Sequence, residues 1–428
     1  MNWIERDKAA IWHPFTQLVN GFGHLMVEKA EGVYLYTSEG EKILDAISSW
    51  WVNLHGHSHP AIAKAVAEQA ASLEHVIFAG FTHKPAIELA ENLLSILPSN
   101  QAKIFYSDNG STANEVALKM AFQYWYNREE QKRKKVIAFE GAYHGDTFGA
   151  MSVGDRGPFS APFSPYLFEV DFLPTPNGEN DEFILEQFQD MLAGADVAAF
   201  IFEPLVLGSA GMKMYSPELL DKLIAMAQEK EVICIADEVF TGFGRTGKYF
   251  ASDYLANKPD ILCLSKGLTG GTMALGVTSC TEEIMSAYRS PDIMKTFFHG
   301  HSFTANPIAC AASNASFHLL KREETQTNIQ RIHEKHSAFA ARLTNYELCE
   351  NVRVLGTILA LEIKTDTNSS YVNEVRHKLY PYFLKKGILL RPLGNTIYVL
   401  PPYVISDSQL DRVYQAILSL LNEPEALI

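Results

Sequence analysis

Between about residues 100 and 270, apolar runs of strand length alternate with amphipathic helical stretches. The pattern predicts strands over 103–106, 136–139, 197–202, 232–236 and 261–264, and helices over 114–126, 182–192 and 217–228. Alternation of this kind forces a mostly parallel sheet covered by helices on both faces. Open sheets of this class place their chemistry at the carboxyl ends of the strands. Two residues stand at such ends. Asp237 closes the run Val232-Ile233-Cys234-Ile235-Ala236, and Lys266 follows Asp260-Ile261-Leu262-Cys263-Leu264-Ser265 and precedes Gly267, Gly270 and Gly271.

The flanks read differently. Gly32–Thr37 and Lys42–Asp45, separated by Ser38-Glu39-Gly40-Glu41, form a predicted hairpin. Helical spacing starts at Pro60 (Ile62, Val66, Ala70) and recurs from Pro85 to Leu97. A long apolar helix is expected over 309–320. After about 330 come a charged helix, short strands over 352–355, 357–363 and 397–400, and a final amphipathic helix over 408–421. The expected organisation is α/β: a large domain over 60–328, and a small discontinuous α+β domain built from 1–59 and 329–428.

Composition narrows the function. A length of 428 residues allows more than one core. A net charge of −14 argues against nucleic acid and anionic membrane surfaces as partners. The five cysteines (Cys234, Cys263, Cys280, Cys310, Cys349) are scattered in apolar stretches, unlike a disulfide scaffold or a zinc site. The first eight residues carry four charges and no apolar signal core, so a cytoplasmic enzyme is expected. The run Glu129–Lys135 is short and mixed in sign, and reads as a solvated loop.

An amine and a carboxylate facing across one pocket suit pyridoxal 5′-phosphate, the lysine as Schiff-base former and the acid as partner of the pyridinium nitrogen. Three further stretches fit that cofactor. Ser107-Asp108-Asn109-Gly110-Ser111-Thr112 follows a strand and opens a helix, whose free N–H groups suit a phosphate. Tyr143, in Glu140–Thr147, can stack on a planar ring, and Val239, in Asp237-Glu238-Val239, can pack against a ring face. Arg245 is a candidate anion receiver. Each feature alone has an ordinary structural reading: a capped helix, a core tyrosine, an N-cap aspartate, a surface ion pair. Their joint spacing is what carries the signal. His55-Gly56-His57-Ser58-His59 has the look of a metal motif, but it lacks an acidic or cysteine partner nearby and Pro60 opens a helix directly after it, so no metal is expected. His299–Thr304 can contribute a hydroxyl to a phosphate.

Together these pieces resemble the class III aminotransferases, pyridoxal-phosphate enzymes of fold type I (aspartate aminotransferase-like), over nearly the whole chain. The resemblance sharpens at Ile11–Thr16, Ser48-Ser49-Trp50-Trp51, Tyr143–Val153, Leu268–Thr272, Arg391-Pro392 and Tyr398–Pro402. There it points to the branch that aminates 8-amino-7-oxononanoate to 7,8-diaminononanoate in biotin synthesis. The resemblance implies ping-pong chemistry with Lys266, Asp237 and Tyr143 as the catalytic set. Gly110, Ser111, Tyr143, Asp237, Val239, Lys266, His301 and Ser302 would bind the cofactor, with Ser302 reaching the phosphate of a partner subunit in a homodimer. Phe15, Trp50, Tyr143, Lys266, Gly300, Arg391, Tyr398 and Arg245 would bind small-molecule substrates, with Arg391 gripping the acceptor's carboxylate. Glu203 would pair with Arg245. Phe15 stands where a tyrosine is usual in the family, and His301 where proline is commoner. The donor expected is S-adenosylmethionine, although some members use lysine. The alternatives are another ω-amine transaminase, of the ornithine, 4-aminobutyrate or β-alanine type, and a non-catalytic cofactor-sensing regulator, for which no basic DNA-binding segment is visible.

Overall fold

The computed structural model describes residues 2–19, 21, 23–365 and 373–423. The outermost limits of the expected small domain, at 1 and 428, lie outside them. A seven-stranded sheet forms the centre, in the spatial order Gln101–Ser107, Gly276–Thr281, Ile261–Leu264, Ile233–Asp237, Val197–Phe202, Lys135–Phe139, Asp171–Leu173. Its neighbours pair in parallel from Ile261–Leu264 to Asp171–Leu173. Gly276–Thr281 runs antiparallel to both of its neighbours. The strands Val197–Phe202, Ile233–Asp237 and Ile261–Leu264 are buried at every position, as strands covered on both faces must be. Successive side chains alternate between two cores. Ile233 and Ile235 join Val116, Ala117 and Ala121 of the helix Gly110–Asn127, whereas Cys234 and Ala236 join Leu220 and Leu223 of the helix Pro217–Glu229.

The predicted strands and helices of this region are all present, with ends shifted by a few residues. Two strands of the central sheet were not predicted. Gly276–Thr281 has no large apolar residue except Val277. It buries Thr278 and Ser279 by giving each hydroxyl a partner: Thr278 donates to the Ala113 carbonyl (2.8 Å) and Ser279 to Gln101 Oε1 (2.7 Å). Asp171–Leu173 is three residues long and shows no period. One residue of the charge run is not simply solvated. Arg133 lies 4.2 Å from the Trp125 ring and donates to the Val197 and Lys230 carbonyls.

The predicted hairpin forms as Tyr34–Thr37 and Lys42–Asp45, extended by Val27–Glu31. Lys42–Asp45 also pairs in parallel with Ile388–Leu389. The two ends of the chain therefore share one sheet, which favours grouping them in one unit. Cys349–Leu355, Ile358–Ile363 and Thr396–Val399 form a further antiparallel sheet. Among the described residues no helix is long and apolar enough to cross a membrane. The five cysteines are buried and free.

Candidate active site

At the carboxyl ends of the central strands lies a cavity of about 700 Å³. Gly110, Ser111, Tyr143, Asp237, Val239 and Lys266 all line it.

Asp237 ends its strand almost wholly buried, with three groups bonded to its carboxylate. Oδ1 accepts the Val239 N–H (3.0 Å); Oδ2 accepts Asn114 Nδ2 (2.8 Å) and meets His144 Nδ1 (2.8 Å). The same Asn114 nitrogen also donates to the His144 carbonyl (2.8 Å). Neither Asn114 nor His144 stands out in the sequence. Their partner lies 123 and 93 residues away, and no local pattern announces it.

Lys266 follows at once on its strand, with φ 44°. A left-handed conformation is rare for a residue with a β-carbon and marks a site held by its surroundings. The turn Lys266–Thr269 closes on left-handed Gly270. The Lys266 amine faces the cavity 4.9 Å from the Trp51 ring and 5.7 Å from the Phe240 ring. Among the described residues it has no hydrogen bond and no ion pair. Burial lowers its pKa from the ordinary lysine value; Asp237 and Glu203 oppose the shift, and the charge of Arg245 adds to it. The amine is thus more often neutral, and more nucleophilic, than a surface lysine.

Ser111 opens the helix Gly110–Asn127. Its hydroxyl meets Thr147 Oγ1 (2.7 Å) and accepts the Thr147 N–H (3.1 Å). Asn109 caps the helix by accepting the Thr112 N–H. Gly145 makes this corner possible: its φ is +133°, and a Cβ there would lie 2.2 Å from Ser111 Oγ. Gly110 is equally confined, since its Cβ would meet Val239 Cγ1 at 2.6 Å. The Tyr143 N–H donates to Glu203 Oε1 (2.9 Å). Burial first, then the charge of Asp146, pushes the Tyr143 phenol well above its ordinary value, so it stays protonated.

A second cavity of about 430 Å³ brings together Phe15, Trp50 and Arg391. The Arg391 guanidinium lies 5.1 Å from the Trp50 ring, and the Phe15 ring lies 5.5 Å from it, tilted by 60°. Phe159 approaches Phe15 edge-on at 5.9 Å. Arg376 lines the same cavity, and a partly apolar cavity with guanidinium groups can take an aliphatic chain with a terminal anion.

Several expected site residues stand elsewhere. Arg245 lines neither cavity. It is fully buried, and donates Nη1 to the Pro401 carbonyl (3.1 Å) and Nη2 to those of Asn53 (3.2 Å) and Trp51 (3.4 Å). It braces the chain behind Trp51 and is not placed to receive an anion from either cavity. The expected Glu203–Arg245 pair does not form. Glu203 turns instead to the Tyr143 and Gly208 N–H groups, and burial pushes its pKa up to about 7. Tyr398 is buried behind Trp51 and accepts its indole N–H (3.0 Å). Gly300 and Ser302 are exposed and His301 half-buried, outside both cavities; His301 Nδ1 is 3.7 Å from Asp108 Oδ2.

The histidines of 55–59 do three separate jobs. His55 bonds Ser316, His57 bonds Asp45, and His59 caps the helix Pro60–Ser72. Among the described residues, Asp7, His13 and His24 form the one group close enough to share an ion, and they are already bonded to one another: Asp7 Oδ2 meets His13 Nε2 at 2.9 Å and His24 Nδ1 at 2.7 Å.

A sheet of this topology, with a lysine and an aspartate converging on one cavity and a helix start beside them, defines a cofactor-dependent transferase of the aspartate aminotransferase type. The comparisons agree: residues 19–421 match the class-III aminotransferase family, and the chain belongs to it. Its relatives include the adenosylmethionine-8-amino-7-oxononanoate aminotransferase of Synechococcus elongatus, 46% identical and covering 96% of this chain and 98% of that protein. The protein of the same description from Helicobacter pylori is 35% identical, covering 99% and 98%. Among solved structures, the Methanocaldococcus jannaschii enzyme of that description superposes with a TM-score of 0.92 at 36% identity, covering 97% of this chain and 98% of its own. An amine transaminase from an uncultivated Pseudomonas species, solved in its PLP-bound form, superposes with a TM-score of 0.91 at 27% identity, covering 96% and 98%.

Proposed function

We propose that this aminotransferase converts 8-amino-7-oxononanoate to 7,8-diaminononanoate, the biotin-pathway step, with S-adenosylmethionine as amino donor. The observation that carries the reading is the pairing of two sites. One holds an amine with no hydrogen bond among the described residues, beside a fully bonded aspartate; the other, beginning at the adjacent tryptophan, is a partly apolar cavity lined by Arg391 and Arg376.

The residues present fit pyridoxal phosphate. The cavity is wide enough for a substituted pyridine ring. Asp237 supplies a fixed negative charge for a ring nitrogen, Tyr143 and Val239 supply ring-facing surfaces, and Gly110 and Ser111 supply a helix start for the phosphate. When bound, the cofactor supplies an electron sink that acidifies the hydrogen on the donor's amine-bearing carbon. Lys266 is the base that removes that hydrogen at Nζ, and in the second half-reaction it returns one to the acceptor's former carbonyl carbon. Its lowered pKa suits both directions. Asn114 and His144 keep Asp237 oriented. Arg391 binds the acceptor's carboxylate in a bidentate contact, and Trp50 and Phe15 offer its chain apolar ring surfaces.

The same reading makes the enzyme a cytoplasmic homodimer. Ser302 is exposed, next to exposed Phe298 and Phe303, which favours its contributing to a partner's phosphate site. Phe15 has no hydroxyl to offer an adenine, which is the observation that keeps lysine as the second donor. The deciding assay follows 7,8-diaminononanoate formation from 8-amino-7-oxononanoate with each donor separately. Turnover with S-adenosylmethionine supports the proposal, turnover with lysine alone corrects the donor, and none with either overturns it.

A further inference from the structure

The two tryptophans facing the cavities sit on a strained turn. Ser48 (φ 55°), Ser49 (φ 59°) and Trp51 (φ 65°) are all left-handed residues with a β-carbon, and Ser49 has ψ −94°. Such a cluster persists only where its surroundings over-determine it. Here the surroundings converge on Asp45, at the end of its strand and fully buried. Asp45 Oδ1 accepts the Ile47 N–H (3.1 Å), and Oδ2 accepts the Ser49 N–H (2.6 Å). His57 Nε2 bonds the same Oδ2 (2.9 Å), while its Nδ1 faces Asn53 Nδ2 (3.3 Å). A single tautomer satisfies both contacts: Nε2–H donates to Asp45 and Nδ1 accepts from Asn53. Ser48 is tied by its own hydroxyl to the Leu400 carbonyl (2.8 Å).

We propose that Asp45 is a positioning residue for the reaction: its buried carboxylate, oriented by His57, holds the Ser48–Trp51 turn left-handed and so fixes Trp50 beside Arg391 and Trp51 beside Lys266. The proposal rests on the reading of Trp50 and Trp51 as walls of the reacting site. Asp45 touches neither cavity, and its effect reaches substrate only through the turn. Released from that carboxylate, Ser49 relaxes toward an ordinary conformation and both indoles shift.

The test compares holoenzyme variants Asp45→Ala, Asp45→Asn and Asp45→Ala/Ser49→Gly with the wild type. Readouts are KM and kcat for 8-amino-7-oxononanoate, the circular dichroism of the bound cofactor, and the thermal midpoint. Misplacement of this kind lowers kcat/KM by roughly 10–100-fold, and the expected loss in Asp45→Ala lies mainly in KM, with altered cofactor dichroism. Asp45→Asn, which keeps an oxygen for the Ser49 N–H, recovers part of it. The glycine variant recovers more, because glycine takes a positive φ without a β-carbon to clash. A purely structural role for Asp45 would lower the thermal midpoint without moving KM or the dichroism, and would gain nothing specific from Ser49→Gly; either result overturns the proposal. The dichroism and its rescue are read without substrate, so a wild type inactive on 8-amino-7-oxononanoate would defeat the functional reading and leave this test intact.

Discussion

Replacing Asn114 with alanine removes one nitrogen that serves two acceptors. One is Asp237 Oδ2 and the other the His144 carbonyl, both at 2.8 Å. A hydrogen bond to a charged group is worth about 1.5–3 kcal/mol, and a neutral one about 1 kcal/mol. Both losses weaken the fold, but only the first bears on the cofactor. Asp237 keeps His144 and the Val239 N–H, so it stays bonded while its orientation loosens. If that orientation is what the pyridinium nitrogen meets, the dissociation constant for pyridoxal phosphate rises by roughly 10–150-fold, the equivalent of about 1.5–3 kcal/mol. The assay is a titration of apo-enzyme with cofactor, followed by absorbance, with a thermal melt at saturating cofactor to separate affinity from stability. Asn114→Asp is the companion variant. It replaces the donor to Asp237 Oδ2 with a second acceptor, so its affinity falls at least as far as that of the alanine variant. A change below about threefold in Asn114→Ala, with an unaltered spectrum, would refute the argument that this side chain sets the aspartate.

Other consequences follow from single contacts. Lys266→Ala keeps a folded protein but loses at least about 100-fold in turnover, the usual contribution of a positioned acid–base group, measured in either half-reaction. Arg391→Ala raises KM for 8-amino-7-oxononanoate by about 10–150-fold, the loss of one charged contact, and leaves the donor half-reaction nearly unchanged. Gly145→Ala forces a methyl onto Ser111 Oγ; cofactor affinity falls by roughly 5–150-fold, given overpacking costs of about 1–3 kcal/mol, and inorganic phosphate competes less well in the same titration. Acid stability reports His336. Burial between Tyr414 and the Thr357 carbonyl lowers its pKa from 6.5 to about 3. The unfolded chain therefore takes up a proton first as pH falls through 6.5, and stability is lost progressively from there down to about 3, by up to roughly 5 kcal/mol. His336→Gln has no such proton to bind and flattens that part of the acid limb in urea titrations.

The sequence disclosed what is local. Apolar runs such as Val197–Phe202 and Ile261–Leu264 announce buried parallel strands because each position must avoid water on both faces. Lys266 and Asp237 were legible because strand ends are where such sheets put their chemistry. What failed to show was built from small or distant groups. Gly276–Thr281 buries hydroxyls whose partners lie far along the chain. Arg245 has the charge of an anion receiver, but backbone carbonyls from 51, 53 and 401 claim its guanidinium. His57 resembled a metal ligand in sequence, and only the fold brings it to Asp45. The strain at Ser48 and Ser49 has no compositional mark at all, since serine is an ordinary residue until its backbone is seen.

The account stands on Lys266 being the amine that meets the cofactor opposite Asp237. Borohydride reduction of the cofactor-loaded enzyme, followed by peptide mass spectrometry, tests this directly. The reduced cofactor should be fixed to the peptide carrying Lys266, and Lys266→Ala should yield no adduct. An adduct on a different lysine, or none in the wild type, would contradict it.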